Sequence, residues 1–531
     1  MDKNKRGSSL LAKGFSLSIL TLFSRILDLL REMTKATFLG TSIYGDAFSI
    51  AFMIPNLFRR LFAENSISVA FIPTFKGYLE DSKSAEGKKS AQEFVNATFT
   101  LVTFLTVSFV TLGIIFTPLI LRIFYAEKEQ IAIMEATILT RIMFPYLVVI
   151  SVAAFFQGIL NSLKIFLPSG FTPILFNTIV VCSTYFLSPK TENPARAMAI
   201  GVLLGGFVQA AFQFPFVLKT GWHTCFTSLK KAFSNPGTKT VIRLVGPTII
   251  GMAAYQLNDI VSSSLASRAG TGVVSSLTYS LRVQELILGI CAVTIGTVIL
   301  PDLTGFAKKE DWESFTNMLT QSITIMALIA IPITFYSLVM GENIITLLFA
   351  GGQFKEESIK LTTEVFYFHI SGLFFIAVNR IISPAFYAQK DTKSPTWAGL
   401  INFALNMILA AVLVKKFGGK GIALALTIAS FANTGALLFF LRKNPKINRK
   451  KLLSSTFLYA IKMIFFSIIA ASAVYLVKAP ICKLFKNNSR IISQGMPLFL
   501  TAIIFAFVGI LLLFVSRDPL LKSLAKKFKK R

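Results

Sequence analysis

Residues 21–40, TLFSRILDLLREMTKATFLG, and the following 41–75, TSIYGDAFSIAFMIPNLFRRLFAENSISVAFIPTF, set charged side chains into two long apolar runs. At 100° per residue, Thr21, Ser24, Arg25, Asp28, Arg31, Glu32 and Lys35 fall within an arc of roughly 120°. Leu22, Phe23, Ile26, Leu29, Leu30 and Met33 cover the remainder, so the first helix carries one polar stripe. Pro55 restricts the second run to a local reading, in which Asn56, Arg60 and Glu64 stack at i, i+4 spacing beside Arg59, with Asp46 near the start. A Lys, Arg or Asp at the centre of a membrane helix costs about 2.5–3.5 kcal/mol, so such a set must face water or pair internally.

Composition makes the membrane the relevant solvent. The 531 residues are 54% hydrophobic and 15% charged and include 52 Phe, with a mean hydropathy of +0.66. That is too apolar for a soluble chain of this length. The net charge of +29 does not indicate nucleic acid, because the cations are scattered among short connections rather than gathered on a soluble domain. MDKNKR followed by an apolar run has the outline of a signal peptide, but Arg25, Asp28 and Arg31 interrupt the run and no A-x-A-like site follows. Cys182, Cys225, Cys291 and Cys482 are far apart, form no CxxC and read as small packing residues.

Segments of about 20 apolar residues occur near 15–38, 44–75, 93–124, 137–161, 167–187, 195–218, 241–267, 273–303, 315–340, 361–388, 395–415, 420–442, 453–477 and 493–516. The expectation is an all-α polytopic membrane protein with 14 transmembrane helices. Turn and charge signals separate them at DSKSAEGKKS (81–90), SPKTENPAR (188–196), SNPGTK (234–239), AKKEDWE (307–313), AGGQFKEES (350–358) and RKNPKINRKK (442–451). With both termini cytoplasmic, the inner side holds about 31 Lys and Arg against about 16 outside, the expected positive-inside bias.

A weak repeat runs through the chain. FAENSISVAFIPTF contains Pro73 and ICAVTIGTVILPDL contains Pro301, 228 positions on; Lys164–Pro168 resembles Lys390–Pro395; Gly40 and Gly270 are 230 apart. The organisation expected is a first lobe over 1–219, a cytoplasmic linker over 220–240, a second lobe over 241–442, and two added helices with a basic tail over 443–531. Six spans per lobe place both lobes in one orientation, related by a pseudo-twofold along the membrane normal, which suits an alternating-access transporter.

In the second lobe Tyr279, Arg282 and Glu285 recur at i, i+3 spacing. Arginine grips phosphate oxygens through a planar fork that lysine lacks. Arg25, Arg31, Arg59 and Arg282 together suit a diphosphate; the competing reading pairs them with Asp28, Glu32, Glu64 and Glu285 to hold helices together. Arg60, Arg141 and Arg380 read as helix anchors. Asn258 and Asp259, Asn402 and Asn406, and Thr427 could offer oxygens to a hard cation such as sodium, against the plainer reading of interhelical hydrogen bonds. His223 and His369 have no ligand partner by spacing. GGKG at 418–421 lacks Walker spacing, so no cofactor is expected, and energy would come from the membrane potential or an ion gradient.

SRILDLLRE (24–32), GDAFSIAFMIPNLFRRLFAENSISVAFIP (45–73) and YSLRVQELILGICAVTIGTVILPDL (279–303) resemble the signature stretches of the MurJ (MviN) lipid II flippase family, within the multidrug/oligosaccharidyl-lipid/polysaccharide exporter superfamily. The resemblance covers nearly the whole chain. It implies two six-helix lobes around a cationic cavity, with helices 13 and 14 forming a groove for a polyprenyl tail. The function implied is movement of undecaprenyl-diphosphate-linked peptidoglycan precursor from the cytoplasmic to the outer leaflet of the bacterial inner membrane, for cell-wall synthesis. The partners implied are lipid II, membrane lipids and cell-wall synthesis proteins. The family's cavity arginines match Arg25, Arg31, Arg59 and Arg282, and its acid at the start of helix 2 matches Asp46. Glu32 takes a position commonly Asp, Asp28 stands where Gly is expected, and Asn406 stands where some members carry Asp. The alternatives are a different exporter of the superfamily, for another polyprenyl-linked glycan or for drugs; a membrane glycosyl- or phosphotransferase; and a scaffold for cell-wall enzymes. A cationic-drug exporter should have an acidic cavity, and a transferase needs paired acids or a His in a cytoplasmic loop.

Overall fold

Four of the connections that separate the apolar segments supply helix caps. Ser84 accepts from the Gly87 N–H at 3.0 Å, Asn193 from Arg196 N–H at 3.1 Å, Asp311 from Ser314 N–H at 3.0 Å and Asn448 from Lys451 N–H at 3.0 Å. Each satisfies a first-turn donor that the helix cannot bond itself. In this computed structural model the backbone is described for residues 3–61, 67–82, 84–125 and 130–520, with side chains except those of 3–19, 68, 247–255 and 290–298. Glu64 and the Cys291 side chain therefore lie outside the described residues.

The chain is an all-helical, multi-pass membrane protein. In order the helices are α1 (Lys3–Leu39), α2 (Ile43–Phe58), α3 (Ile72–Asp81), α4 (Ala85–Leu121), α5 (Gln130–Met143), α6 (Tyr146–Ser162), α7 (Leu167–Leu187), α8 (Pro194–Lys219), α9 (Leu229–Ser234), α10 (Pro236–Ala269), α11 (Val273–Lys308), α12 (Trp312–Phe349), α13 (Glu356–Ser371), α14 (Leu373–Ala388), α15 (Lys393–Phe417), α16 (Gly419–Phe440), α17 (Arg449–Leu484) and α18 (Arg490–Val515). Among the described residues, 9 helices are long and apolar enough to cross a membrane, or 10 if α13 and α14, bent by 41° at Gly372, form one span. The four other spans expected from sequence, 15–38, 44–75, 241–267 and 273–303, each run into residues or side chains outside the description. The fourteen-span reading is consistent with these helices.

Two compact units divide the chain, Met1–Ser275 and Ser276–Arg531. In the first, α7 packs on α1 and α8, α6 on α8, and α2 on α5. Its core stacks Phe71 against Phe75 and Phe94 and sets Phe155 and Trp222 beside them. Close helix approach is made by small residues, as expected where lipid gives no hydrophobic drive for association. In the second unit α12 packs on α17 and α14, α15 on α16, and α17 on α18.

The repeat has a local structural counterpart. Helix α6 ends with the Ile165 N–H on the Leu160 carbonyl and Lys164 at φ 62°. Helix α14 ends with the Asp391 N–H on the Phe386 carbonyl and Lys390 at φ 60°. Both are the same left-handed termination, each built on lysine rather than the usual glycine.

A Cβ at Gly206 would lie 2.5 Å from Cδ2 of Tyr146, a ring only 3% exposed and unable to swing away. Gly206→Val should therefore lower stability by about 1–3 kcal/mol through overpacking. Gly77→Val, with nothing within 4 Å of the added carbon, should not share that overpacking cost. Thermal unfolding of the two purified variants compares them, and equal melting temperatures would contradict the packing described.

Candidate functional site

The polar stripe of α1 resolves into a gradient of burial. Arg25, near its middle, is exposed and makes no ion pair with a described residue. Two turns on, Arg31 is 7% exposed and fully engaged. Its Nη2 lies 2.6 Å from Asp28 Oδ1 and 2.9 Å from Glu32 Oε1. Its Nη1 donates to Asn177 Oδ1 on α7 at 2.9 Å, and the guanidinium lies 5.8 Å from the Phe52 ring centroid and 5.9 Å from that of Phe176. A buried guanidinium is stable only when its donors are satisfied and its charge is opposed, and here two carboxylates, an amide and two ring faces do both. Asp28 thus sits on Arg31.

One turn further, Lys35 is 3% exposed and donates to Ser49 Oγ on α2 at 2.7 Å, while Ser49 donates to the Gly45 carbonyl. Asp46, also on α2 and 5% exposed, accepts from the Gly272 N–H at 2.6 Å and the Ser275 N–H at 2.8 Å. These donors belong to the start of α11, so Asp46 caps that helix from a neighbouring element, where unsatisfied N–H groups and the positive end of the macrodipole favour an anion. Asp46 also lines a cavity of ≈ 460 Å³ with Ile43, Tyr125, Gln130, Ser267 and Thr271. Near the end of α2, Arg59 donates through Nε to Asn56 Oδ1 at 2.8 Å. Arg60 lies 3.8 Å from Asp259 on α10.

In the second unit, Arg282 of α11 pairs with Glu285 at 2.9 Å, the two side chains 32% and 54% exposed. One face of the same helix is tied to α13: Ser280 Oγ lies 2.7 Å from His369 Nδ1, and Gln284 Nε2 donates to the His369 carbonyl. Asn402 Oδ1 is buried with no hydrogen-bond partner among the described residues, Asn406 is 2% exposed, and Thr427 donates to the Phe368 carbonyl at 2.7 Å. No group of three or more His, Cys, Asp or Glu that could hold a metal occurs among the described residues. An apolar groove of ≈ 390 Å³ opens between α12, α17 and α18, lined by Pro332, Tyr336, Phe466, Ala470, Phe505 and Leu513 among others.

Within the first unit, then, Arg31 comes together with Asp28 and Glu32, and Arg60 with Asp259; within the second, Arg282 comes together with Glu285. Sequence reasoning missed Asn177, whose only signal is a lone amide inside the apolar run PILFNTIVV (173–181). It also missed Ser49 and the backbone donors of Gly272 and Ser275, which carry no sequence signal because any residue but proline offers an N–H.

The chain resembles known proteins along most of its length. A family profile described as "Lipid II flippase MurJ" matches residues 35–492. A relative from Treponema pallidum (strain Nichols), "Probable lipid II flippase MurJ", is 45% identical over 516 residues, 97% of each chain. One of the same name from Vibrio cholerae serotype O1 is 32% identical, covering 81% of this chain and 82% of the relative. The solved structure "Lipid II flippase MurJ, inward closed conformation" superposes with a TM-score of 0.77 at 26% identity, over 94% of this chain and 99% of the other. An inward-facing multidrug resistance MATE family transporter of the MOP superfamily shares the fold, with a TM-score of 0.65 at 12% identity. By the length and identity of these matches, the chain belongs to the lipid II flippase MurJ family.

Proposed function

We propose that this chain moves lipid II, the polyprenyl-diphosphate-linked peptidoglycan precursor, from the cytoplasmic to the outer leaflet of a bacterial inner membrane by alternating access, with both termini cytoplasmic. The observation that carries the proposal is the charge of the α1 and α2 polar faces: Arg25, Arg31, Lys35, Arg59 and Arg60 against Asp28, Glu32 and Asp46 over residues 25–60. A net basic surface in the membrane lowers the cost of carrying a diphosphate through hydrocarbon. It argues against export of cationic drugs, for which an acidic surface is needed. In this reading Arg25, Arg31, Arg59 and Arg282 bind the headgroup. Glu32 and Glu285 hold Arg31 and Arg282 in place, Asp46 fixes the start of α11, and the polyprenyl tail follows the groove of α12, α17 and α18.

The process is transport, with no bond made or broken, and its energy is drawn from the membrane potential or a sodium gradient. Asn402, Asn406 and Thr427 fit a coupling sodium ion as neutral oxygen donors, and the orphaned Asn402 Oδ1 is the observation in favour. Asp259 fits less well, because the Arg60 guanidinium 3.8 Å away already opposes its charge.

Arg25→Ala and Arg282→Ala should each reduce lipid II translocation in proteoliposomes by at least about tenfold, the equivalent of roughly 1.4 kcal/mol in headgroup stabilisation, with unchanged membrane insertion. Normal translocation by either variant would sink the assignment. Asp28 competes with an incoming anion for Arg31, so Asp28→Gly should bind lipid II severalfold more tightly. Weaker binding by Asp28→Gly in a direct titration would instead make Asp28 a positioning residue for the guanidinium.

A further inference from the structure

Helices α17 and α18 run antiparallel and pack together, joined by a short turn over 485–489. One end of the pair carries Lys443, Lys446, Arg449, Lys450 and Lys451, the cytoplasmic end in the topology proposed above. The opposite end should then be poor in cations, yet it holds Lys478, Lys483, Lys486 and Arg490 within thirteen residues, and no Asp or Glu occurs anywhere from 444 to 517.

Some other cations of this unit are opposed by carboxylates. Lys446 pairs with Glu310 at 2.9 Å, Lys462 with Asp518 at 2.6 Å, and Lys420, on the same side as the hairpin, with Glu364 at 3.0 Å. The hairpin cations are not. Lys478 donates to the Val339 carbonyl at 2.9 Å, and Lys483, Lys486 and Arg490 are exposed with no ion pair to any described residue. The carbonyl end of α17 accounts for Lys483 and Lys486, which a helix C-terminus favours, but it does not account for Arg490, the first residue of α18, where the macrodipole disfavours a cation. Arg490 is also positioned: its Nη1 lies 3.2 Å from where a Cβ on Gly351 would stand, so the glycine leaves room for the guanidinium against the loop after α12.

The same two helices line the apolar groove. Ala470, on its wall, is thirteen residues before Lys483, a rise of about 20 Å along α17. A lipid whose tail lies in the groove and whose headgroup has reached the outer side would find its phosphates beside this cluster. We propose that Lys483, Lys486 and Arg490, with Lys478 behind them, form an exit site that binds the diphosphate of the polyprenyl lipid at the outer leaflet before release. This rests on the lipid II reading above and adds to it a second phosphate site, distinct from the α1 and α2 arginines and on the added helices. Phosphatidylglycerol offers related chemistry, but it carries one phosphate per headgroup and lacks a polyprenyl tail for the groove.

The test uses the full chain in proteoliposomes and two photoreactive probes presented to the hairpin side, polyprenyl diphosphate without sugar and phosphatidylglycerol. Polyprenyl diphosphate should label the segment 478–494, and K483Q/K486Q/R490Q should lose that label by well over tenfold, since each cation near a lipid surface contributes about 1 kcal/mol, or about fivefold. Phosphatidylglycerol should label the same segment only weakly. Equal labelling of the triple variant and the parent would overturn the proposal, and so would equal labelling by the two probes, which would make the cluster a general contact for anionic lipid. Arg282→Ala separates this from the reading it rests on. Retained label with lost translocation supports both, whereas absent label on a parent chain that still translocates removes the exit site alone.

Discussion

A guanidinium held inside an apolar bundle constrains everything around it. Arg31 cannot be left unopposed at 7% exposure, because breaking a buried ion pair by removing one partner costs about 3–5 kcal/mol. Asp28 and Glu32 come from its own helix, but Asn177 comes from α7 and the ring faces from α2 and α7. The packing of α1 on α7 is therefore also a condition for keeping the charge in the membrane. Lys35 imposes a similar requirement on α2 through Ser49, and Asp46 returns it to the backbone at the start of α11. The polar stripe and the helix packing are two descriptions of one arrangement.

The stripe itself was legible because its period is that of a helix, and the helices were legible because apolar runs of membrane length are hard to mistake. The breaks were legible too, as turn and charge signals, though not the capping roles of Ser84, Asn193, Asp311 and Asn448 within them. The repeat appeared as Lys164 and Lys390 before their shared left-handed conformation was visible. Other features were not readable. The partition of the chain at Ser275 and Ser276 depends on which faces pack, and the sequence marked its boundaries instead by loop charge. Asn177 needed the register of α7 against α1. The role of Asp28 was open between Arg25 and Arg31, since i−3 and i+3 are equivalent on a helix, and only the side-chain geometry selects Arg31.

The MATE transporter shares the architecture at 12% identity, and architecture alone does not specify cargo. The present chain has a basic α1 and α2, Arg282 on α11, and an apolar groove built on α12, α17 and α18. In the function proposed, the arginines recognise the anionic headgroup and the groove takes the long apolar tail, which is the combination a polyprenyl-diphosphate lipid requires. Arg31 is closed onto its carboxylates while Arg25 is exposed, so under the proposed function the two arginines differ in readiness: one would exchange partners to bind a headgroup and the other would not.

The central claim is that this chain decides which leaflet holds lipid II. Depleting it from its own cell and counting lipid II in each leaflet with an impermeant label tests this most directly. The account predicts that lipid II accumulates in the cytoplasmic leaflet and disappears from the outer one, with total lipid II maintained or raised. An unchanged outer-leaflet pool after depletion would contradict it.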